Sequence, residues 1–266
     1  MTMRPVSIAG VASTPFGAHT DVPIHELAVR AARAAIDEAG IDRSDIGSLY
    51  MGNFIGGMLT GQEVLAGLTA DALGLANIPC TKVEGACASG GIAFRHAVLA
   101  VASGECEVAL AVGVEKMTHA STADMTAALN AAMDQCADAP SGLTWPGLFG
   151  MGFRLHAARY GTTREQVSSV VIKNKGNGLT NPLAQMGADL DAETIANSKP
   201  IADPLRLFDC CPPSDGAAAV LVVARDRAGS RIAARIPIMA ITTSNSISVK
   251  PRLFFMNPLL PSRISA

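Results

Sequence analysis

The feature that most constrains the fold is the alternation of short apolar runs with helical patterns over the first 114 residues. The run 107–114 is almost wholly apolar, which is typical of a strand covered on both faces. A polar stripe recurs at helical spacing from Glu26 to Asp37, and Gly40 follows where a C-terminal cap belongs. Strands that alternate with helices favour an α/β layer with a largely parallel sheet. The predicted strands are 6–11, 46–51, 78–83 and 107–114, and the predicted helices are 26–39, 62–73 and 88–103.

The pattern changes after residue 117. Residues 118–207 are rich in Ala, Gly, Pro and Met, which indicates helices and loops and no obvious strand. The run Thr163-Arg164-Glu165-Gln166 is typical of a capping box, predicting a helix through Val171, and Asp191 is a candidate cap for a shorter helix. A strand is predicted again at 216–223. We therefore interpret 118–207 as a long insertion on one side of the sheet.

The end of the chain has no comparable pattern. Residues 236–241 are a strand candidate, but four prolines, at 237, 251, 258 and 261, bracket the stretch that follows and the tail. An apolar run at 253–256 has no helix or strand context around it. We interpret 242–266 as a tail that lacks a partner or is poorly ordered.

Charge and composition exclude several classes of protein. The formal net charge is −2 and only 4% of the residues are aromatic, so neither phosphate neutralisation nor base stacking is favoured and no nucleic-acid partner is expected. No uninterrupted apolar run reaches about 18 residues, so we expect no membrane span. The first ten residues lack the apolar core of a signal peptide, and the default localisation is cytoplasmic.

The six cysteines, at 80, 87, 106, 136, 210 and 211, fit that compartment. They form no C-x-x-C motif and no paired Cys/His spacing, so no metal site is expected. The chain is not a short secreted sequence, so a disulfide framework is not expected either. Most of these thiols are predicted to be small buried apolar groups.

One segment combines the features of a reactive thiol. Residues 83–91, Val-Glu-Gly-Ala-Cys-Ala-Ser-Gly-Gly, predict a strand that turns tightly into an apolar helix, with Cys87 at the helix start. Free backbone N–H groups and the positive end of the helix dipole meet there, and both stabilise a thiolate and a developing oxyanion. The local pattern is equally consistent with an inert cysteine buried in a strand-to-helix turn.

Other candidate sites are weaker. The glycine-rich residues 52–61 match neither a dinucleotide-binding fingerprint nor a P-loop, so a flexible loop is the better interpretation. The vicinal pair Cys210-Cys211 before two prolines is more typical of a packed turn than of a redox site. The five histidines have no evident acid or metal partner in the sequence.

Several ordered motifs between residue 5 and about residue 225 resemble the thiolase family, and within it the sterol-carrier-protein-type thiolases. The Cys87 segment is followed by a strand ending in Gly-Val-Glu-Lys-Met at 113–117, as in that family. Further similar segments are Lys-Asn-Lys-Gly-Asn at 173–177, Asn-Pro-Leu-Ala-Gln at 181–185, Ser-Lys-Pro-Ile-Ala-Asp-Pro-Leu at 198–205 and Asp-Cys-Cys-Pro-Pro-Ser-Asp-Gly-Ala-Ala-Ala at 209–219. Lys175 replaces a usual His, a change expected to affect coenzyme A contacts rather than catalysis.

The resemblance implies a layered α/β fold built from two repeats, of which this chain carries the first with a helical loop-domain insertion. It implies an N-terminal α/β domain at 1–117 plus 208–225, a loop domain at 118–207 that covers an acyl-coenzyme A, and a truncated or aberrant tail at 226–266. It also implies that Cys87 is the acyl-accepting nucleophile and that Met151 lines the acyl pocket. Coenzyme A and its thioesters enter as substrates, and no separate cofactor is expected.

The sequence departs from the family after about residue 223. The family's second repeat carries a Gly-His-Pro histidine that activates the nucleophile and a Cys-x-Gly cysteine that acts as acid and base, and neither motif occurs in this sequence. The resemblance therefore implies an acyltransferase that needs a homo-oligomeric partner or a complementing second half. Two alternatives stay open: a non-catalytic fragment that binds acyl-coenzyme A or a partner chain, and a carbon–carbon lyase of the retro-aldol kind.

Overall fold

A five-stranded sheet lies at the centre of the computed structural model, which describes residues 3–227. Its strand order is β1-β7-β4-β2-β3, and a separate two-stranded hairpin is formed by β5 and β6. β2 pairs in parallel with both β3 and β4, whereas β7 runs antiparallel between β1 and β4. The strands are β1 Val6–Ser13, β2 Ser48–Gly52, β3 Cys80–Val83, β4 Val108–Glu115, β5 Pro200–Ala202, β6 Leu205–Arg206 and β7 Gly216–Ala224.

Helices cover both faces of the large sheet. α1 and α3 pack on one face and α4 packs on the other. The helices are α1 Ile24–Ala39, α2 Gly56–Thr60, α3 Leu65–Leu73, α4 Ser89–Ser103, α5 Thr122–Asn130, α6 Trp145–Tyr160, α7 Arg164–Thr180 and α8 Ala192–Ala196.

Strand β4 shows how the two faces differ. Its larger side chains, Leu110 and Val112, belong to the core that α1 and α3 cover, whereas Ala109 and Ala111 face α4. Successive strand residues point to opposite faces, so this alternation assigns large residues to one side and small residues to the other. The small residues allow α4 to approach the sheet closely.

The predicted α/β class is confirmed, and so is the position of each predicted strand up to residue 224 to within a few residues. The sheet is less parallel than expected only because β7 returns in the opposite direction. The helix predicted at 62–73 begins at Leu65, since Gly61 and Val64 both adopt left-handed backbone conformations that interrupt it. The short helix α2 was not predicted.

The chain between β4 and β7 forms α5 to α8 and the β5–β6 hairpin. The predicted capping box at Thr163 is confirmed, but its helix α7 continues to Thr180 rather than ending near Val171. The Asp191 side chain accepts a hydrogen bond from Thr194 N and caps α8 as predicted. The hairpin corrects the expectation that this segment contains no strand. The strand predicted at 236–241 and the tail at 242–266 lie outside the described residues.

A buried carboxylate joins the exit from β4 to the return into β7. The Asp215 side chain accepts hydrogen bonds from Met117 N at 2.7 Å, Thr118 N at 2.8 Å, Thr118 Oγ1 at 2.6 Å and His19 N at 3.0 Å. It also pairs with Lys116 Nζ at 3.5 Å, and both side chains are buried. Burial alone raises the pKa of Asp215, but the hydrogen bonds from Thr118, Met117 and His19 outweigh it and lower the pKa to about 2.

The stretch Ala86–Ser103 has the length and composition of a membrane-crossing helix, with 18 residues of which 33% are buried. The finding is weak evidence for a span, because the core helix of a globular domain meets the same criteria. Here α4 packs along β2 and β4, and Arg95 and His96 interrupt its apolar sequence.

We predict that Asp215→Asn lowers the free energy of unfolding by about 3 kcal/mol at pH 7, because breaking a buried ion pair costs roughly 3–5 kcal/mol. The folded-state pKa of about 2 lies below the ordinary value of 3.8, so this carboxylate stabilises the fold above pH 4 and loses that effect as the pH falls towards 2. Urea unfolding of both proteins from pH 7 to pH 2 measures the difference.

The part of that stability difference that comes from the lowered pKa of Asp215 is about 2 kcal/mol, and this part should vanish near pH 2. Asp189→Asn, which alters an exposed carboxylate, serves as the matched control and should leave stability unchanged. A difference between wild type and Asp215→Asn that is the same at pH 7 and pH 2 would contradict this assignment.

Candidate active site

Cys87 lies in a single 3-10 turn, Ala86–Ala88, that connects the end of β3 to the start of α4. The thiol is exposed. Ala88 is the N-cap residue of α4 and provides no side-chain cap, so the first backbone N–H groups of the helix remain free of a capping side chain. The predicted position of Cys87 at a helix start is therefore what the structure shows, and the alternative of a buried inert cysteine does not match its exposure.

The turn around Cys87 is closed by hydrogen bonds on both sides. Ser89 Oγ accepts from Gly85 N at 3.0 Å and donates to Ala86 O at 2.7 Å. Ala88 N also donates to Gly85 O at 3.0 Å. Ser89 is buried, so its hydroxyl is held by these contacts rather than by solvent. The thiol consequently projects from a backbone loop that is fixed on either side of it.

Ala86, directly before Cys87, has a φ of 49°, in the left-handed region that non-glycine residues rarely adopt. Its N–H donates to the Glu84 carboxylate, which supports the conformation locally. Such backbone conformations cost of order 1–3 kcal/mol and occur preferentially at functional sites. The strain at Ala86 is an independent indication that this turn is more than a connection.

The parallel strands β2, β3 and β4 end at the same edge of the sheet, beside this turn. Asn53 follows β2, donates from its backbone N to Val83 O at 3.3 Å and from its side-chain Nδ2 to Val114 O at 2.8 Å. It thereby ties together the ends of all three strands. Asn53 is fully buried, and its Oδ1 has no hydrogen-bond partner within residues 3–227.

Glu115, the last residue of β4, lies at the same edge of the sheet. Its carboxylate accepts hydrogen bonds from Phe54 N and, at 3.4 Å, from Ile55 N, so it holds the loop that follows β2. Burial raises the pKa of the Glu115 carboxyl, and the two N–H groups and the charge of Lys82 oppose that rise. Glu115 belongs to a segment that carries the family resemblance, whereas Asn53 was not predicted. The only signal for Asn53 was a polar residue shortly after the strand predicted at 46–51.

The other thiols differ from Cys87 in their surroundings. Burial raises the pKa of Cys80, Cys106 and Cys210, and Cys106 also lies 3.3 Å from Ser48 Oγ. Cys136 and Cys211 are exposed, but they lie in loops outside any helix start. Among the described thiols, Cys87 thus combines exposure with a helix N-terminus.

Met151 lies on α6, and 52% of its surface is exposed. α6 packs on the β5–β6 hairpin, and the carbonyl oxygens of Ala202 and Asp203 would lie 3.0 Å from any Cβ at Gly150. No recorded hydrogen bond or ring contact links Met151 to the Cys87 turn in the described part of the chain. Its role in an acyl pocket remains a prediction.

Four of the five histidines make contacts elsewhere. His19 and His119 pair through ring nitrogens with Pro15 O at 2.8 Å and Leu59 O at 2.9 Å, and His156 pairs with Thr162 Oγ1 at 2.7 Å. His96 stacks on Tyr50 at a centroid distance of 5.7 Å. None of these partners belongs to the Cys87 turn, so no histidine is placed as its base by the contacts within residues 3–227.

The chemistry open to this site follows from its thiol and from the helix start beside it. An exposed thiol at a helix start can attack a carbonyl carbon, and a helix N-terminus can stabilise the oxyanion that forms. A group that accepts the thiol proton is not evident among the contacts described. The site is suited to one half of a covalent group transfer.

Comparison with known proteins identifies the family and the fold. Residues 6–226 match the family described as thiolase, N-terminal domain. The chain is 45% identical over 226 residues to the acetyl-CoA acetyltransferase of Methanothermobacter thermautotrophicus, covering 85% of this chain and 58% of that protein. It is 30% identical to human sterol carrier protein 2 over 83% of this chain and 42% of that protein.

A solved structure described as an Ltp2-ChsH2(DUF35) aldolase superposes with a TM-score of 0.69 at 29% identity, over 85% of this chain and 57% of that chain. The chain thus spans about half the length of the relatives that it matches. The resemblance inferred from the ordered motifs is confirmed, as is the thiolase-like α/β fold. This chain belongs to the thiolase N-terminal domain family.

Proposed function

We propose that this chain carries the nucleophilic half of a thiolase-type acyltransferase, with Cys87 forming a thioester with the acyl group of an acyl-coenzyme A. The observation that carries the proposal is the exposed Cys87 thiol in a strained, hydrogen-bonded turn at the start of α4. Membership of a family whose relatives include acetyl-CoA acetyltransferases supports the same reaction class.

The proposed step exchanges one thioester for another. Cys87 Sγ attacks the acyl carbonyl carbon, the C–S bond to coenzyme A breaks, and the thiol proton passes to the departing coenzyme A sulfur. A second coenzyme A, or the α-carbon of a second acyl-coenzyme A, then takes the acyl group from Cys87. Splitting the transfer in this way replaces one difficult step by two easier ones.

The groups that move protons in the second half-reaction are proposed to come from residues outside this sequence. Gly-His-Pro and Cys-x-Gly, the motifs that supply them in the family, are absent from the 266 residues. A complementing second half is the proposed source, because a second copy of this chain would lack the same motifs. The exposed Arg95 face of α4 and the open edge of β3 offer surfaces for such a contact.

Residues 118–207 are proposed to act as the loop domain that covers the acyl-coenzyme A, with Met151 near the acyl group. This segment contributes α5 to α8 and is anchored to the sheet by the Asp215 contacts with Met117 and Thr118. The proposed α/β domain consists of 1–117 and 208–225.

A retro-aldol lyase is the second candidate, favoured by the aldolase structure that superposes at 29% identity. In that reaction a C–C bond of a 3-hydroxyacyl thioester breaks, the hydroxyl proton leaves as the carbonyl product forms, and the thioester enolate is protonated. No covalent bond to Cys87 is required, which separates the two candidates experimentally.

We predict that Cys87 is the thiol most sensitive to alkylation, because it is exposed at a helix N-terminus. Iodoacetamide at neutral pH, followed by peptide mass mapping over time, measures the six rates in one sample. The thiols of Cys80, Cys106 and Cys210 act as internal controls, since burial raises their pKa values. Faster labelling of Cys106 or Cys136 than of Cys87 would refute the assignment.

We predict that the isolated chain forms an acyl-enzyme but does not turn over at a rate approaching ~1 s⁻¹, the low end of ordinary enzymes. General acid–base groups contribute typically 10²–10⁴-fold each, and the chain lacks the family motifs that supply them. Intact-mass measurement after mixing with acetoacetyl-coenzyme A detects the thioester. Loss of the enolate absorbance with added coenzyme A measures turnover.

Cys87→Ala is the deciding variant for this prediction. Loss of the mass increase in that variant supports the covalent route, whereas lyase activity that survives it supports the retro-aldol candidate. Binding of acetyl-coenzyme A with no adduct on the wild-type chain would support the non-catalytic alternative. Multiple turnovers near ~1 s⁻¹ by the chain alone would show that it holds its own acid and base.

A further inference from the structure

The last residue of β2 carries no side chain at the point where α4 meets the sheet. A Cβ added to Gly52 would lie 2.5 Å from both Ser89 C and Ser89 O, and 2.6 Å from Gly90 N. These separations are far below an optimal contact of about 3.5–4.0 Å between carbon atoms. All three atoms belong to the backbone of the first turn of α4, so no side-chain rotation could relieve the overlap.

The distance between α4 and β2 decreases towards the end of the strand. Tyr50, two residues before Gly52 on the same face, stacks on His96 of the helix and packs against the buried cluster between α4 and the sheet. Side chains therefore separate the middle of α4 from β2, whereas at Gly52 the helix backbone rests directly on the strand backbone. The position of the start of α4 therefore depends on the absence of a Cβ at Gly52.

Gly113 provides a matched comparison. It lies directly opposite Gly52 in the β2–β4 register, yet a Cβ there would meet only Gly90 Cα, at 3.6 Å. This is an ordinary van der Waals distance. Two paired glycines at the same sheet edge thus differ sharply in what an added methyl group would displace.

The turn that Gly52 supports is the one that holds Cys87. Ser89, whose backbone rests on Gly52, bonds through its hydroxyl to Gly85 N at 3.0 Å and to Ala86 O at 2.7 Å. The residues on the N-terminal side of Cys87 are thereby tied to a residue on its C-terminal side. Displacing Ser89 from the sheet would move both ends of the loop that carries the thiol.

We propose that Gly52 and Ser89 are positioning residues for the Cys87 thiol: Gly52 sets the distance between the helix start and the sheet, and Ser89 transmits that position to the turn. The inference rests on the proposed role of Cys87 as an acyl acceptor. Neither residue belongs to the recognised motif as a reacting group, and both act through the backbone.

The test compares Gly52→Ala with Gly113→Ala in the full chain. Single-turnover acylation by acetyl-coenzyme A, followed by intact mass, gives a limiting rate and a half-saturating concentration for each protein. We expect Gly52→Ala to lower the limiting rate about tenfold or more, because a displacement of about 1 Å can cost 10²-fold. The half-saturating concentration should stay within twofold, and Gly113→Ala should match the wild type in both quantities.

Alkylation rates in the same proteins separate displacement of the turn from general destabilisation. Iodoacetamide labelling of Cys87 should change in Gly52→Ala, whereas labelling of exposed Cys136 and Cys211 should not. Labelling of the half-buried Cys106 stays slow as long as the variant is folded. A folded Gly52→Ala protein whose Cys87 behaves as in Gly113→Ala would overturn the proposal.

Ser89→Ala covers the case in which Gly52→Ala does not fold. It removes the hydroxyl without adding atoms, and a net hydrogen bond contributes only about 1 kcal/mol to stability. We expect a several-fold lower limiting acylation rate, and an unchanged rate in the folded variant would overturn the proposal. If wild-type Cys87 forms no thioester, the proposed function fails, while the Cys87 alkylation rates still decide whether Gly52 and Ser89 position the thiol.

Discussion

The buried Asp215 carboxylate is the interaction on which the arrangement of this molecule depends. The chain leaves the sheet after β4 at Lys116 and returns to it at β7, and Asp215 binds both points and the loop near His19. A single side chain thus closes the segment that contributes α5 to α8 onto the sheet. Because this carboxylate is ionised and fully hydrogen-bonded, the junction stays fixed although the segment beyond it exposes apolar side chains such as Phe149 and Leu155.

Hydrogen bonds to the backbone also fix the position of the Cys87 thiol. Cys87 projects from a short turn whose position follows from the end of β3, the start of α4 and the hydroxyl of Ser89. Sites carried by strands and helices are held more accurately than sites on long loops. The left-handed Ala86 indicates that the surrounding structure enforces this turn against its local preference. A covalent step needs such placement, whereas simple binding of an acyl chain does not.

The sheet edge beside that turn contains a buried polar side chain, that of Asn53. Asn53 Oδ1 has no hydrogen-bond partner in residues 3–227, although buried polar atoms are nearly always paired. The chain spans about half the length of the relatives that it matches, and the proposed function takes the proton-moving groups from the part that it does not match.

The sequence by itself determined the alternation of strands and helices, the place of Cys87 at a helix start, the cap at Gly40 and the capping box at Thr163, because each depends on residues close together in the chain. It missed the break at Val64, where a residue with no turn signal adopts a left-handed conformation. It could not predict contacts between residues that lie far apart in the sequence. These contacts are Gly52 with Ser89, Asn53 with Val114, and Asp215 with Met117. Only the tertiary structure decided that β7 runs antiparallel beside β4. It also decided that Gly52, on a neighbouring strand, sets the position of the Cys87 thiol. Both depend on the steric fit between packed elements, which the local sequence does not contain.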